Sequence, residues 1–340
     1  MKCIQILEPR KAVVKEIGMP RVNEGEALLK VLYGGICGSD MGLYKGKMQT
    51  YATYPRTPGH ELSAEIIEVA EKNDYNLKKG MIVTVNPYFN CGHCYSCERG
   101  YLNCCVNNQT MGLQREGGFA EYITMPLDRI YDGQGIDALR LTLVEPFAIS
   151  YHAVKKANIE KGDKVLVVGA GTIGMFAMFA AKLKGGEVFV SDVAESKLYT
   201  AQKLGADGII LNDDNSTFIN KVNMVTDGRG FDVTVEAVGL PGTMMNCMDA
   251  AAHMGRVVEV GIGSQNLDFE FNIIQKKELN IMGSRNALKE DFMELIEVIK
   301  SGTIDLMPLV TGIFGLEEAP DVFRELDFNI GNNIKTLIKF

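Results

Sequence analysis

The stretch from Lys164 to Asp192 constrains this chain more than any other. Val165-Leu166-Val167-Val168 is an unbroken apolar run, too uniform for a strand with one wet face, so it reads as a strand covered on both sides. Gly169-Ala170-Gly171-Thr172-Ile173-Gly174 follows at once, then helix formers from Met175 to Leu183, and a second apolar run, Val188-Phe189-Val190, that closes on Ser191-Asp192. Strand, tight turn, helix and strand, with an acid 18 residues beyond the last glycine, is the layout of a dinucleotide-binding unit. Gly169 permits the turn, Gly171 lets the backbone approach a pyrophosphate, and Gly174 lets the helix pack close to its strand. Thr172 and Ile173 open the helix, whose free N–H groups and positive end face the phosphates. Asp192 would accept hydrogen bonds from an adenosine ribose and repel a 2′-phosphate. Val193 and Ala194 offer such a phosphate no cation, so NAD is expected over NADP. Lys197, a further candidate cofactor-binding residue, lies one turn along the next helix and is expected to be solvated.

Around this unit the rhythm of the chain changes once. Up to about residue 150 the pattern is short strands and turns: Cys3–Leu7, Ala12–Val14, Ala27–Tyr33, Ser63–Ala70, Met81–Val85 and Ala120–Thr124. Helical periodicity is absent over residues 1 to about 35, and this half with its loops reads as a small irregular β-barrel. Gly34 to Asp40 is glycine-rich and reads as a turn or bulge. From about Lys161, strands and helices alternate. Helices are expected at 195–204, 216–226 and 241–252, and strands at 208–211, 232–236, 256–260 and 279–282. Six strands with helical crossovers make a doubly wound parallel sheet. Helices at 289–300 and 316–326 and a strand at 335–339 are expected to return to the first domain. The expected organisation is α/β: a barrel domain over 1–150, completed by 286–340, and a dinucleotide domain over 151–285.

The formal net charge is −8 with no block of lysines or arginines, which argues against a nucleic-acid groove. The longest uncharged apolar segment, Val165 to Ala181, is broken by three glycines and falls short of a membrane span. No secretory leader is visible, because Glu8, Pro9 and two cations interrupt the N-terminal run. The expected compartment is the cytoplasm.

Eight cysteines in 340 residues are too few and too crowded for a disulfide framework. Cys91, Cys94 and Cys97, with Cys105 after seven more residues, have the spacing of a closed tetrahedral zinc site. Cys104 could compete for the fourth position, and His93 reads as a loop residue. Cys3, Cys104 and Cys247 have no ligand neighbours and are expected to pack as small hydrophobes. Cys37, His60 and Glu61 lie in glycine- or proline-shaped loops, and together could hold a second zinc with a position open for substrate. On residue types alone, His60 could equally be an ordinary loop histidine and Cys37 a buried thiol.

Gly35-Ile36-Cys37-Gly38-Ser39-Asp40, Gly59-His60-Glu61, the four-cysteine lobe, Gly117-Gly118-Phe119-Ala120-Glu121-Tyr122, Glu145-Pro146 and the turn at 169–174 occur in one order. Together they resemble the zinc-containing medium-chain alcohol dehydrogenases, in the branch holding sorbitol, L-threonine and sugar-acid dehydrogenases. The resemblance covers essentially the whole chain. It implies a GroES-like barrel interrupted by a Rossmann domain, two zinc ions per chain, NAD, and a dimer or tetramer formed through the Rossmann sheet edge. It implies Cys37, His60 and Glu61 as catalytic-zinc ligands, with Glu145 a carboxylate that binds the metal directly or through water. Asp40 is implied to orient the histidine, Ser39 to take the substrate proton, and Cys91, Cys94, Cys97 and Cys105 to hold the structural zinc. One position departs. Five residues after the catalytic cysteine the family carries a proton-relay histidine, and this chain has Gly42. Water, Tyr44 or another side chain would have to replace it.

The implied reaction is oxidation of a secondary alcohol to a ketone. A polyol or a sugar acid such as L-gulonate or L-galactonate is expected first, because the short segment Tyr44 to Pro58 lacks the aromatic run associated with threonine dehydrogenases. L-Threonine is the alternative. Arg56, Arg115 and Arg285 are candidates to meet a substrate carboxylate, although each could be an ordinary ion pair. A catalytically silent NAD-binding sensor is the rival of another class.

Overall fold

Val165 to Val168 form the middle of a sheet because nothing in them tolerates water: all four are buried, with exposures of 1% or less, in the computed structural model. The structure describes residues 1–340 except 49, 51, 329, 330 and 332. It divides into two units, Met1–Glu145 with Leu288–Phe340, and Pro146–Ala287.

In the second unit, six strands pair in parallel throughout. They are Lys164–Val168, Glu187–Asp192, Gly208–Leu211, Phe231–Glu236, Ala251–Glu259 and Asn280–Gly283. Numbered along the unit, their order across the sheet is 3-2-1-4-5-6. This is the doubly wound dinucleotide-binding arrangement, with the glycine turn where the order reverses. Helices Thr172–Leu183, Glu195–Lys203, Asn215–Thr226, Pro241–Ala250 and Asn272–Lys277 make the crossovers. One apolar cluster unites Leu166, Phe189, Phe218, Phe231 and Val257. The fifth strand begins at Ala251, five residues before the expected start, and takes the end of the expected helix with it.

The first unit is built on a seven-stranded sheet. Glu26–Gly35 is its hub, pairing antiparallel with Glu61–Val69, Tyr122–Pro126 and the C-terminal strand Lys335–Lys339. The last of these pairs parallel with Val310–Gly315. Phe119, Phe323, Leu29, Val31 and Leu62 lie in one core that residues from both ends of the chain complete.

Gly34 and Gly35 are not the expected turn. They continue the hub strand opposite Leu62 and Glu61, and the bulge-like register shifts fall earlier, between Leu28 and Leu29 and between Val31 and Tyr33. After Cys37 the chain enters a helix, Gly38–Tyr44. Asp40 explains why a glycine-rich segment turns helical: its Oδ2 accepts from the Cys37 amide at 2.9 Å, a helix-start contact. Helices Ala138–Thr142 and Val144–Ala157 were also not expected. The expected helix from Leu316 is a 3₁₀ turn, Leu316–Glu318, followed by Ala319–Phe328. Among the described residues, no helix is long and apolar enough to cross a membrane.

Candidate active site

The hub strand, the helix after it and the strand at Glu61 bring Cys37, His60 and Glu61 together. One ligand atom from each lies within 4.8 Å of the others. His60 is 5% exposed and Glu61 1%. Gly59 makes the entry possible, since its φ of +100° suits glycine and a Cβ there would lie 2.1 Å from Phe119 Cδ1. Asp40, fully buried, ties this corner together. Besides the Cys37 amide it accepts from the Gly59 amide at 3.0 Å, and its Oδ1 lies 3.7 Å from His60 Nδ1. One carboxylate thus pins the backbone at or beside two candidate ligands. Burial raises the Asp40 pKa against the opposing pull of His60 and the two amides. Burial lowers that of His60, but Asp40 and Cys37 outweigh it and the imidazole ends well above its ordinary value.

Ser39 Oγ is 3.4 Å from His60 Nε2, so its hydroxyl lies at the trio. Glu145 is 2% exposed in the first turn of Val144–Ala157. Its Oε1 accepts a hydrogen bond from the Tyr88 hydroxyl, and it does not join the trio at the 4.8 Å spacing. Burial, and then Glu61, push its carboxyl up to about 7 against the pull of His60.

Two residues here were not anticipated. Tyr88 is one. Lys335 is the other: 1% exposed, it forms an ion pair with Glu61 Oε2 and donates to the Ile36 carbonyl at 3.0 Å. Strand alternation could not single it out, because its neighbours toward both faces of the strand, Thr336, Leu337 and Ile338, are buried as well. Gly35 makes room for the pair, since a Cβ there would lie 2.0 Å from Glu61 Oε2.

Thiol, imidazole and carboxylate form a donor set that zinc accepts. The two ring nitrogens of His60 have different neighbours: Nδ1 lies 3.7 Å from Asp40 Oδ1 without a hydrogen bond, and Nε2 lies 3.4 Å from Ser39 Oγ. These residues could hold a metal. Cys91, Cys94, Cys97 and Cys105 also meet within 4.8 Å. The sulfur contacts are 3.4 Å for Cys94–Cys97, 3.5 Å for Cys105–Cys91 and 3.9 Å for Cys94–Cys105. All are free thiols. The His93 backbone N–H leads in pulling the Cys91 thiol down to about 6, toward the thiolate that binds metal. Cys3 and Cys247 are buried, but Cys104 is exposed and does not pack as a hydrophobe. It points away because Leu102–Cys104 forms a 3₁₀ turn that delivers Cys105 inward instead.

Tyr44, offered as a relay substitute, is spoken for. It is 3% exposed, and its hydroxyl donates to the Arg10 carbonyl at 3.2 Å. Arg56 pairs with Glu116 at 2.7 Å. Arg115 stacks over Phe89 at 3.9 Å. Of the segment Tyr44 to Pro58, positions 49 and 51 lie outside the described residues.

In the second unit, Gly169 has φ +108°, and a Cβ on Gly174 would lie 1.7 Å from the Gly169 carbonyl oxygen. A Cβ on Gly171 would meet nothing within 4 Å, which leaves the space a phosphate needs. Thr172 and Ile173 form the first turn of the helix. Asp192 accepts from the Ala170 amide at 2.7 Å and the Ala194 amide at 2.8 Å, so the acid is locked to the glycine turn. Lys197 is half-buried on the following helix.

Residues 23–134 match the alcohol dehydrogenase GroES-like domain, and residues 172–301 match the zinc-binding dehydrogenase family. The chain is 35% identical over 334 residues to L-galactonate-5-dehydrogenase of Escherichia coli K12, covering 98% of this chain and 97% of that one. It is 32% identical to L-threonine 3-dehydrogenase of Pyrococcus furiosus, with 92% of each covered. An alcohol dehydrogenase from Escherichia coli CFT073, complexed with NADH, superposes with a TM-score of 0.92 at 29% identity, over 100% of this chain and 99% of that one. Barrel-type sheet, doubly wound sheet, two candidate metal clusters and these matches agree: the chain belongs to the zinc-type medium-chain alcohol dehydrogenases.

Proposed function

We propose that this protein is an NAD-linked, zinc-dependent dehydrogenase that oxidises a secondary alcohol of a sugar acid or polyol to the ketone. The observation that carries the reading is the trio of half-buried Cys37 with buried His60 and Glu61, with Ser39 beside it. Zinc held there would supply Lewis acidity, lowering the pKa of a substrate hydroxyl. The chain's own residues do the rest. Ser39 receives the hydroxyl proton; Asp40 holds Cys37 and the Gly59 amide in place; Lys335 balances the charge of Glu61. Cys91, Cys94, Cys97 and Cys105 hold a second, structural zinc. The turn at Gly169, Gly171 and Gly174 would hold the pyrophosphate of NAD, whose nicotinamide would supply the hydride acceptor. Asp192 favours NAD by opposing a 2′-phosphate, and Lys197, half-buried on the following helix, is a cation that could soften the preference.

The L-galactonate-5-dehydrogenase relative supports a hexonate over the threonine alternative. Ile281, 38% exposed on the last strand of the parallel sheet, supports pairing of two copies along that edge; light scattering should give a dimer or tetramer.

Metal analysis and an assay of NADH production over hexonates, pentitols and L-threonine test the reading. Two zinc ions per chain and turnover of a hexonate are expected. One zinc, with NADH binding and no turnover on any of these, would instead identify a silent sensor.

A further inference from the structure

Tyr88 belongs to neither metal cluster, yet its hydroxyl donates to Oε1 of Glu145. Both are buried, with exposures of 7% and 2%. The tyrosine is fixed at both ends of its backbone. Its amide donates to Asn86 Oδ1 at 3.0 Å, and its carbonyl accepts from Arg129 Nη1. Asn86 is held in turn, its amide donating to the Arg129 carbonyl at 2.8 Å and its Nδ2 to the Tyr131 hydroxyl at 3.2 Å. Arg129 rests over Phe89 at 4.6 Å. A phenol clamped in this way is a donor with one direction. The two glutamates of the pocket therefore have separate partners. Glu61 pairs with Lys335 and meets Cys37 and His60, while Glu145 pairs with Tyr88 and stays outside that trio.

We propose that Tyr88 is a positioning residue that holds the Glu145 carboxylate out of the metal's ligand set, keeping a coordination position open for substrate. The inference rests on the reading of Cys37, His60 and Glu61 as a metal site. A carboxylate anchored by a phenol has one oxygen engaged and its orientation set. Without the phenol, a metal in the trio becomes the strongest partner within its reach. Residues that act on a metal through a ligand typically change affinity or activity by about 10–100-fold.

The test uses the full-length protein loaded with Co(II), together with Tyr88→Phe, Glu145→Gln and the double variant. In Tyr88→Phe the visible cobalt bands lose intensity as an extra oxygen ligand joins. Cobalt leaves about tenfold more slowly, and KM for the alcohol rises about tenfold with kcat nearly unchanged. In the double variant the bands return to those of Glu145→Gln alone, which a general loosening of the pocket would not produce. Glu145→Gln, which keeps the tyrosine, leaves the wild-type bands in place; a shift there overturns the proposal even if Tyr88→Phe does not fold. Unchanged bands and KM in folded Tyr88→Phe also overturn it. Wild-type protein that loads cobalt only at the four-cysteine lobe sinks the trio reading along with the proposal. Loading at both sites without a spectral response sinks the proposal alone.

Discussion

The four-cysteine lobe draws its thiols from 15 consecutive residues, 91–105, whereas the trio joins Cys37 to His60 and Glu61 and borrows Lys335 from the last strand. In the lobe, the ligands lie in one short segment with only single turns of helix, Tyr95–Glu98 and Leu102–Cys104, so a metal held there would add much to its order. The trio rests on sheet pairing, the buried Lys335–Glu61 ion pair and glycine clearances. The lobe should therefore fail as a structure when its ligands are altered, and the trio should fail as a chemical site within a fold that persists.

Cys94→Ser should have the largest effect. Structural zinc contributes on the order of 10 kcal/mol to ordering such a segment. Zinc content should fall by one ion per chain and limited proteolysis should cut between positions 91 and 105. A protease-resistant lobe without metal would erase the contrast with the trio.

Lys335→Met comes next. It strands the Glu61 carboxylate in a site where both partners are 1% exposed, and breaking a buried pair in this way costs about 3–5 kcal/mol. Urea unfolding should show a midpoint lowered to match. A loss below about 1 kcal/mol would mean that the pair behaves as a surface bridge, and that the trio is less preorganised than its burial implies.

Asp192→Ser is smaller. Removing a charge that faces a 2′-phosphate should improve the NADP-to-NAD efficiency ratio by about 30-fold, roughly 2 kcal/mol. NAD affinity should also weaken, since Asp192 holds the Ala170 and Ala194 amides. An unchanged ratio would deny the acid its role in cofactor choice.

The smallest effect concerns proton release. With glycine at position 42 in place of the relay histidine and the Tyr44 hydroxyl donating to the Arg10 carbonyl, alcohol oxidation should be fastest at alkaline pH. Gly42→His should raise kcat/KM at neutral pH a few-fold. The Met48 side chain, whose Cε would lie 2.9 Å from the new Cβ, is flexible enough to move. A profile already flat across neutral pH in the unaltered protein would argue against the missing relay.

Legibility follows the same division. Gly169, Gly171 and Gly174 could be given separate tasks before any coordinates, because a tight turn, an open approach and a close helix contact are local demands. The structure shows the positive φ at Gly169 and the close contact at Gly174, and open space beside Gly171. The cysteines of the lobe were equally readable from spacing. Tyr88 and Lys335 were not, because each matters through one contact with a residue 57 or 274 positions away, and no local pattern records such a partner. Gly34 and Gly35 misled for a related reason. Their composition signals a turn, but they sit in a strand since only glycine leaves room for Phe119 and Glu61 against it.

By itself, the order of residues determined the alternation of strand and helix, the phosphate-binding turn, the thiol spacing and, through resemblance, the family, since these depend on neighbours along the chain. Only the folded sheet decided which carboxylate joins Cys37 and His60, which is held apart by a phenol, and which lysine neutralises the site. Those outcomes are set by burial and by strand pairing between the two ends of the chain, where a charge taken out of water must find its partner across space.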